Sequence, residues 1–426
     1  SHLQFGGGGG GGGRIAIHCT TCASLADAKF GTGGARLARG LSLDARGGAA
    51  GSTKRVVPTD GPRRGAPGPI FGDTAGVRVV VFANHYGGAT ATTTREAAAH
   101  LLLDGGSLTL DHLLLHSCVA ELSRSVSTTF IQSSASSVTV KQSLDVAGSI
   151  DLQSGAWILH EPIKANVLSL GATAALYAKD DATALDVRTV RFTHAGLAAA
   201  RTISITAREL TLVGSGAFDA SGRGDAKDTG AGRGSGGGGA SHGGMGGGST
   251  MAPYGSLELP SSRGSGGGSS GGRDGGAGAG TINLTVSDLL FLDGPATLVG
   301  ANGLAGEDAS SNTGSAGGGG AGGSVYIDAV RLAGSGKVQA VGGGGGRTNA
   351  GTGGSGGGGG RIAIHCATCA SLADASLGAG GAIWAGGSRL DACCGAARPS
   401  WPVAPTSGPR RGPPGPVFSV AAGVRV

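Results

Sequence analysis

Aromatic side chains are scarce in this 426-residue chain, which has three tryptophans, four tyrosines and nine phenylalanines. Charge is also thin, at 14% of residues, and the net balance is only +6. Nucleic-acid binders gather their basic residues into a patch interleaved with stacking rings. Here arginines and lysines are scattered through turns and loops, which excludes that class. No apolar run approaches the roughly 18–20 residues needed to cross a bilayer, so no membrane span is expected in this segment. The opening Ser1-His2-Leu3-Gln4-Phe5, followed by glycines, has no signal-peptide pattern. That opening lies inside a repeat, so the natural chain is expected to extend further.

Glycine is what the chain has in excess: 91 residues, about three times the usual share of roughly 7%. The apolar content is Ala, Val, Leu and Ile, which suits narrow, regular cores. One long repeat is written into the sequence. Arg14-Ile15-Ala16-Ile17-His18-Cys19 recurs as Arg361-Ile362-Ala363-Ile364-His365-Cys366, both times after a glycine run and at an offset of 347 residues (14 to 361). The offset persists through Pro62-Arg63-Arg64-Gly65 and Pro409-Arg410-Arg411-Gly412, and through Gly76–Val79 and Gly423–Val426. By composition, residues 1–75 end one repeat and 76–200 hold short-strand coils. Residues 201–370 hold glycine-rich coils, and 361–426 begin the next copy.

From Val77 to Leu212 short alternating segments arrive in quick succession: 77–82, 107–115, 128–132, 137–141, 149–152, 156–159, 167–170, 174–177 and 189–193. Gly, Asp and Ser stand between them, as strands and turns require. Only Thr94–Leu103 reads as a helix. Residues 61–69 are rich in Gly and Pro, but the glycines fall at spacings of four and three, which breaks the strict period a collagen triple helix needs.

Four later segments align: Thr202–Thr206, Thr281–Thr285, Ser324–Asp328 and Arg361–His365. The first three are followed by a second apolar pair (Leu210/Leu212, Leu290/Leu292, Val330/Leu332). A third short strand then follows at 217–220, 297–300 and 337–340. Three short strands in about 20–25 residues is a solenoid period. One coil cannot bury its own apolar face, and stacked coils share a core. The fold expected is all-β, a parallel β-helix with three short strands per coil.

Glycine blocks at 222–248, 264–280, 303–323 and 342–360 leave from one place in the unit, after the third strand. Two readings stand: flexible linker, or extended polyglycine strands stacked side by side, with backbone amides supplying the bonds.

Several stretches resemble a class of very large glycine-rich cell-surface proteins of protists, algae and bacteria, often described as adhesin-like. They are His242-Gly243-Gly244, Tyr254-Gly255-Ser256-Leu257-Glu258-Leu259-Pro260, Gly278–Ile282, Gly322–Ile327 and Arg361–Ile364. The match covers roughly residues 200–370, with a looser one through 69–71 and 77–84. The resemblance implies an extracellular, cell-surface β-helical repeat used structurally or for adhesion. Flagellar hairs (mastigonemes) are one such assembly. Its partners would be copies of itself, neighbouring repeats of a longer chain, or glycans.

The Cys-x-x-Cys after the Arg-Ile-Ala-Ile strand is not part of that pattern and is argued from the residues. The seven cysteines are Cys19 and Cys22, Cys118, Cys366 and Cys369, and Cys393 and Cys394. Each His-Cys-x-x-Cys offers three zinc ligands where a structural site wants four. An oxidising setting favours disulfides, and a bridge across so small a loop adds local rigidity. Free thiols are the third reading. Adjacent Cys393 and Cys394 call for separate partners, Cys118 or another protomer among them.

Asp180-Asp181, near Lys179 and Arg188, raises polysaccharide cleavage. General acid/base work needs two carboxylates held across a cleft on rigid strands, and this pair sits in a turn. Arg223-Gly224-Asp225 spells an integrin-type tripeptide in a segment expected to be exposed. Asp219, Asp225 and Asp228 lack the nine-residue register of calcium-binding β-rolls. Asn283-Leu284-Thr285 is the sole N-glycosylation sequon, with Asn283 expected to face outward, and 405–407 could carry O-glycans. No catalytic residue, metal site or cofactor is assigned. The expected job is mechanical: a structural repeat of an extracellular filament or fibre. An adhesin-type binding module is the alternative, and a polysaccharide lyase or hydrolase the third.

Overall fold

The computed structural model describes residues 108–116, 118–123, 125–180, 184–309, 315–349 and 353–369. It also describes the backbone of strands at 15–19, 29–31, 34–36, 42–43, 70–74, 77–83, 376–378, 381–383, 389–391, 417–421 and 424–425. The helix read at 94–103 lies outside the described residues. Every described regular element is a strand, so the protein is all-β. It divides into two compact units, 1–175 and 176–426.

In the first unit the pairing is mostly parallel. Leu108–His116 pairs with Val126–Ser134, which pairs with Leu144–Leu159. Leu108, Val126 and Leu144 are register partners, so each step advances the chain 18 residues. Val119–Leu122, Ser136–Val140 and the second half of 144–159 form a second parallel set. Alternation sets the inward face: Val126, Thr128, Ile131 and Ser133 are buried, and so are Val138, Val140, Ile150, Leu152, Trp157 and Leu159. Trp157 donates its indole N–H to Ser133 Oγ at 3.1 Å, satisfying the one polar atom that burying the ring would strand. The separate strands read at 149–152 and 156–159 are one continuous strand, because Gly155, at φ +97°, turns the chain without breaking the ladder.

In the second unit a long ladder and a short one run together. The long ladder stacks Ala184–His194, Thr202–Leu212, Thr281–Leu292, Ser324–Gly334 and Arg361–Cys369, all parallel. The short ladder stacks Leu197–Ala199, Ala217–Asp219, Leu298–Gly300, Lys337–Gln339 and Arg389–Asp391. Side chains form columns one residue wide. Leu185, Ile203, Ile282, Val325 and Ile362 make one; Ala198, Phe218, Val299 and Val338 make another. All nine are at most 1% exposed, and each such side chain contributes about 1.5–3 kcal/mol of burial, alanine less.

Each long strand turns a corner within itself. Inward alternation at 185, 187 and 189 skips two outward residues, 190 and 191, before resuming at 192 and 194. The same double step falls at 208–209 and 330–331, and a third residue is added at 287–289, where the register records a bulge. This corrects one sequence pairing. Val330 is a corner residue, 45% exposed, and Leu332 alone continues the Leu210–Leu290 column. The first and second strands of the expected three-strand coil are therefore one bent strand.

Candidate functional site

Between the short strand of one ladder step and the next long strand the chain makes its glycine excursions. Register partners Ala184 and Thr202 are 18 residues apart, whereas Thr202 and Thr281 are 79 apart, yet the ladder keeps its register. The glycine segments are held in place by one another.

Residues 317–323 lie at the centre. The N–H groups of Gly317, Gly320 and Gly323 donate to the carbonyls of Glu307, Leu304 and Ala301. Those of Gly318 and Ala321 donate to Gly268 and Ser265, and those of Gly319 and Gly322 to Ser355 and Gly358. These seven bonds measure 2.9–3.1 Å. Successive amides thus point in three directions and return to the first after three residues. The carbonyls behave likewise. Those of Gly317 and Gly320 accept from Gly346 and Gly343, those of Gly318 and Ala321 from Gly276 and Ala279, and that of Gly319 from Ala240. The central segment has six hydrogen-bonded neighbours.

Glycine is required here by distance. A Cβ on Gly319 would stand 2.0 Å from Gly343 O, and one on Gly320 would stand 2.1 Å from Ala277 O. Neither residue has a left-handed φ. Ala321 shows that a methyl fits at chosen places, since it is fully buried and keeps its bond to Ser265. The tips of the segments are charged and carry ion pairs Lys227–Asp274, Arg273–Glu307 and Arg263–Asp225. Exposed pairs of this kind are screened by water and add little to stability.

A strap, residues 249–263, fastens the glycine segments to the long ladder. Arg361 Nε donates to Tyr254 O at 2.9 Å, Ser324 Oγ to Ser262 O at 2.6 Å, and His365 Nε2 to Glu258 O at 3.1 Å. Beneath the strap His242 donates from Nδ1 to Gly322 O at 2.7 Å, with its ring 4.8 Å from that of Tyr254. Its Nε2 is buried without a partner. Burial, then the nearby Arg361 guanidinium, drives the His242 pKa down to about 4, so the imidazole is neutral. Tyr254 Oη donates to Arg263 O and meets Ser265 Oγ at 2.7 Å; burial pushes the phenol up to about 12. Burial also lowers the pKa of Arg361. Three stretches that look unrelated in sequence, at 242–244, 254–260 and 361–364, meet at this point. No spacing rule links them; only the folded excursion brings them together.

The cysteines take several places. Cys366 and Cys369 occupy register positions on either side of a corner, partnering Ala329 and Leu332. Their three-residue separation is that of Thr189 and Phe192, and of Ala207 and Leu210. Cys366 is buried and disulfide-bonded. Cys118 is a free, buried thiol. It packs against Ser136 Oγ at 3.5 Å, and burial raises its pKa to about 11. Cys19 ends the strand Ile15–Cys19. Cys22, Cys393 and Cys394 lie outside the described residues, as do Asp181 and residues 405–407.

Asn283 is exposed on the outer face of its strand, with Thr285 exposed beside it. Asp180 is half-exposed, its carboxylate 4.0 Å from Lys179 Nζ. Arg223-Gly224-Asp225 is built into the glycine segments rather than displayed. Gly224 is buried and its N–H donates to Gly278 O, while Asp225 N–H donates to Gly264 O. Asp219 accepts from Ser221 N–H, a local turn bond, and Asp228 accepts from Ser269 N–H, a bond between two glycine segments.

His194 is a second buried histidine. It stacks on Phe192 and Phe218, hydrogen-bonds Ala217 O at 2.8 Å, and is driven by burial to a pKa of about 4. In comparisons with known proteins, no family model, no curated protein and no solved structure matches the chain.

Proposed function

We propose that this chain is a structural repeat of an extracellular filament or cell-surface fibre. In this reading its ladders are the coils of a parallel β-helix, and its glycine excursions pack as polyglycine-II strands. The observation that carries the reading is the central segment 317–323, bonded to six neighbours with a period of three. Three residues per turn is the repeat of the left-handed extended helix. A lattice bonded in every lateral direction resists shear without needing large side chains. The function follows as load-bearing: a stiff element whose units join end to end or side to side. Open ladder ends expose unpaired backbone and call for a stacked neighbour.

Negative-stain images of the native material test this. Fibres with a regular axial repeat are the expected result. Isolated rods that bind glycans would replace the filament with an adhesin.

A further inference from the structure

The strap at 249–263 is held down at few points. Tyr254 N–H donates to His242 O at 2.9 Å and Ser241 Oγ to Met251 O at 2.8 Å. Arg361, His365 and Ser324 of the long ladder each donate once to a strap carbonyl. Residues 255–259 are exposed throughout, Leu257 and Leu259 included. A segment with so little buried apolar area opens at a lower free energy than the ladders beside it. Two of its ladder anchors, Arg361 and His365, stand on Arg361–Cys369, the strand with which the second sequence copy begins. The strap therefore fastens the glycine segments of one repeat to the first strand of the next.

One side chain beneath the strap is badly placed to take up a proton. His242 is fully buried; its Nδ1 is committed to Gly322 O, and its Nε2 has no partner. Strap backbone lies directly over Nε2, since a Cβ added at Gly255 would stand 3.5 Å from it. Among the described residues, the groups around the ring do not compensate a positive charge. The glycine segments 317–323 and 354–360 contribute no titratable side chain. From the long ladder come Arg361, whose charge opposes protonation, and His365. From the strap come the exposed Glu258, Arg263, and Tyr254, a phenol kept neutral with its pKa pushed up to about 12. Asp225 is occupied by Arg263 at 3.5 Å. An imidazolium here would leave a buried N–H without an acceptor beside a like charge, and both effects oppose it.

We propose that the strap is an acid-opened latch, with protonation of His242 at Nε2 as its trigger. Opening lifts Tyr254 and Gly255 off the ring, and water then accepts from the new N–H. While the strap is closed, burial holds the ring's pKa down to about 4; once open, the ring returns toward the ordinary 6.5. The open form thus binds more protons between those limits, and falling pH favours it. From pH 7.5 to 4.5 the opening equilibrium should rise on the order of 50–100-fold. Arg361–Cys369 stays paired with Ser324–Gly334 through backbone bonds that this proton does not touch, so the latch opens with the sheet in place. The contact lies within one chain, and the inference stands whether or not the chain builds a fibre.

Hydrogen exchange on the full chain tests this, with each amide's rate divided by its intrinsic rate at that pH. The amides of 250–259 should gain about 50–100-fold in opening between pH 7.5 and 4.5, while those of 203–207 and 325–329 change far less. His242→Asn keeps an amide N–H where Nδ1 stands and does not titrate in this range, so its strap should show a flat profile. His365→Asn and Asp225→Asn, which remove other titratable groups nearby, should leave the rise in place. A flat profile in the unsubstituted chain, a rise that survives His242→Asn, or a rise lost with His365→Asn or Asp225→Asn would overturn the latch. Equal gains in strap and ladders would also overturn it, because the molecule would then be unfolding as a whole. Should His242→Asn leave the strap open at every pH, proton NMR of the unsubstituted chain decides instead. The His242 ring must then titrate in step with strap exchange, and a midpoint at the ordinary 6.5 sinks the inference.

Discussion

The ladders and the glycine segments of residues 176–426 lie side by side and are held together by different means. Columns such as Ile205, Leu284, Ile327 and Ile364 cohere by removing apolar area from water. The segment at 317–323 has almost no side chain to bury and coheres through backbone hydrogen bonds in three directions. Tolerance to change should therefore run in opposite senses. A ladder column accepts Ile, Leu or Val because volume is roughly kept. A glycine position accepts nothing larger where a neighbouring carbonyl already stands 2.0 Å from the missing Cβ.

The sharpest way to break this contrast is Gly319→Val, which forces the 319 and 343 backbones apart. A loss of about 3 kcal/mol or more is expected in chemical denaturation, against about 1 kcal/mol for Ala321→Gly. Equal effects would mean that close approach does not govern the lattice. Next is Phe218→Ala in the short ladder, which empties a site stacked on Phe192 and His194. That substitution should cost about 3–4 kcal/mol, and Leu284→Ile less than about 1.5 kcal/mol.

The third prediction concerns acid. His194 and His242 have folded pKa values of about 4, below the ordinary 6.5. Between those limits the unfolded chain binds more protons, so stability falls as pH drops from about 6.5 toward 4. Each histidine contributes up to about 3 kcal/mol over that window. Thermal melts from pH 7 to 4.5 should show the fall. His194→Phe should remove only the ladder's part of it, leaving the part due to the glycine segments. Smaller still is Tyr254→Phe, which removes the phenol's bonds to Arg263 O and Ser265 Oγ. About 1–2 kcal/mol is expected, with faster hydrogen exchange across 249–263 than across the ladders. Smallest is Asn283→Gln on the exposed outer face. Stability should hold within about 0.5 kcal/mol, and in a secretory host the glycan mass should disappear from the intact protein.

Much of the strand order could be read directly because alternation is local. Val77–Ala83, Leu108–His116, Thr202–Leu212 and Lys337–Gln339 fall close to where the pattern of apolar residues places them. What could not be read is where alternation changes phase. The corner at 330–331 turned Val330 outward, although Val330 is as apolar as Leu332, because the adjacent strands fix the register there. The Cys-x-x-Cys of the second copy has the look of a bonding motif, and its spacing is also that of a corner.

Sequence by itself determined the repeat, most of the strands and the place, after the short strand of each unit, where the glycine excursions leave. These depend on residue spacing, and spacing is a property of the chain. Tertiary structure alone decided that the described glycine segments bond to one another and which amide meets which carbonyl. It also decided that His242, Tyr254 and Arg361 close a strap over them. Glycine carries no side chain, so its sequence holds no pattern from which a partner could be read. Its partners are settled only when six backbones come within hydrogen-bonding distance.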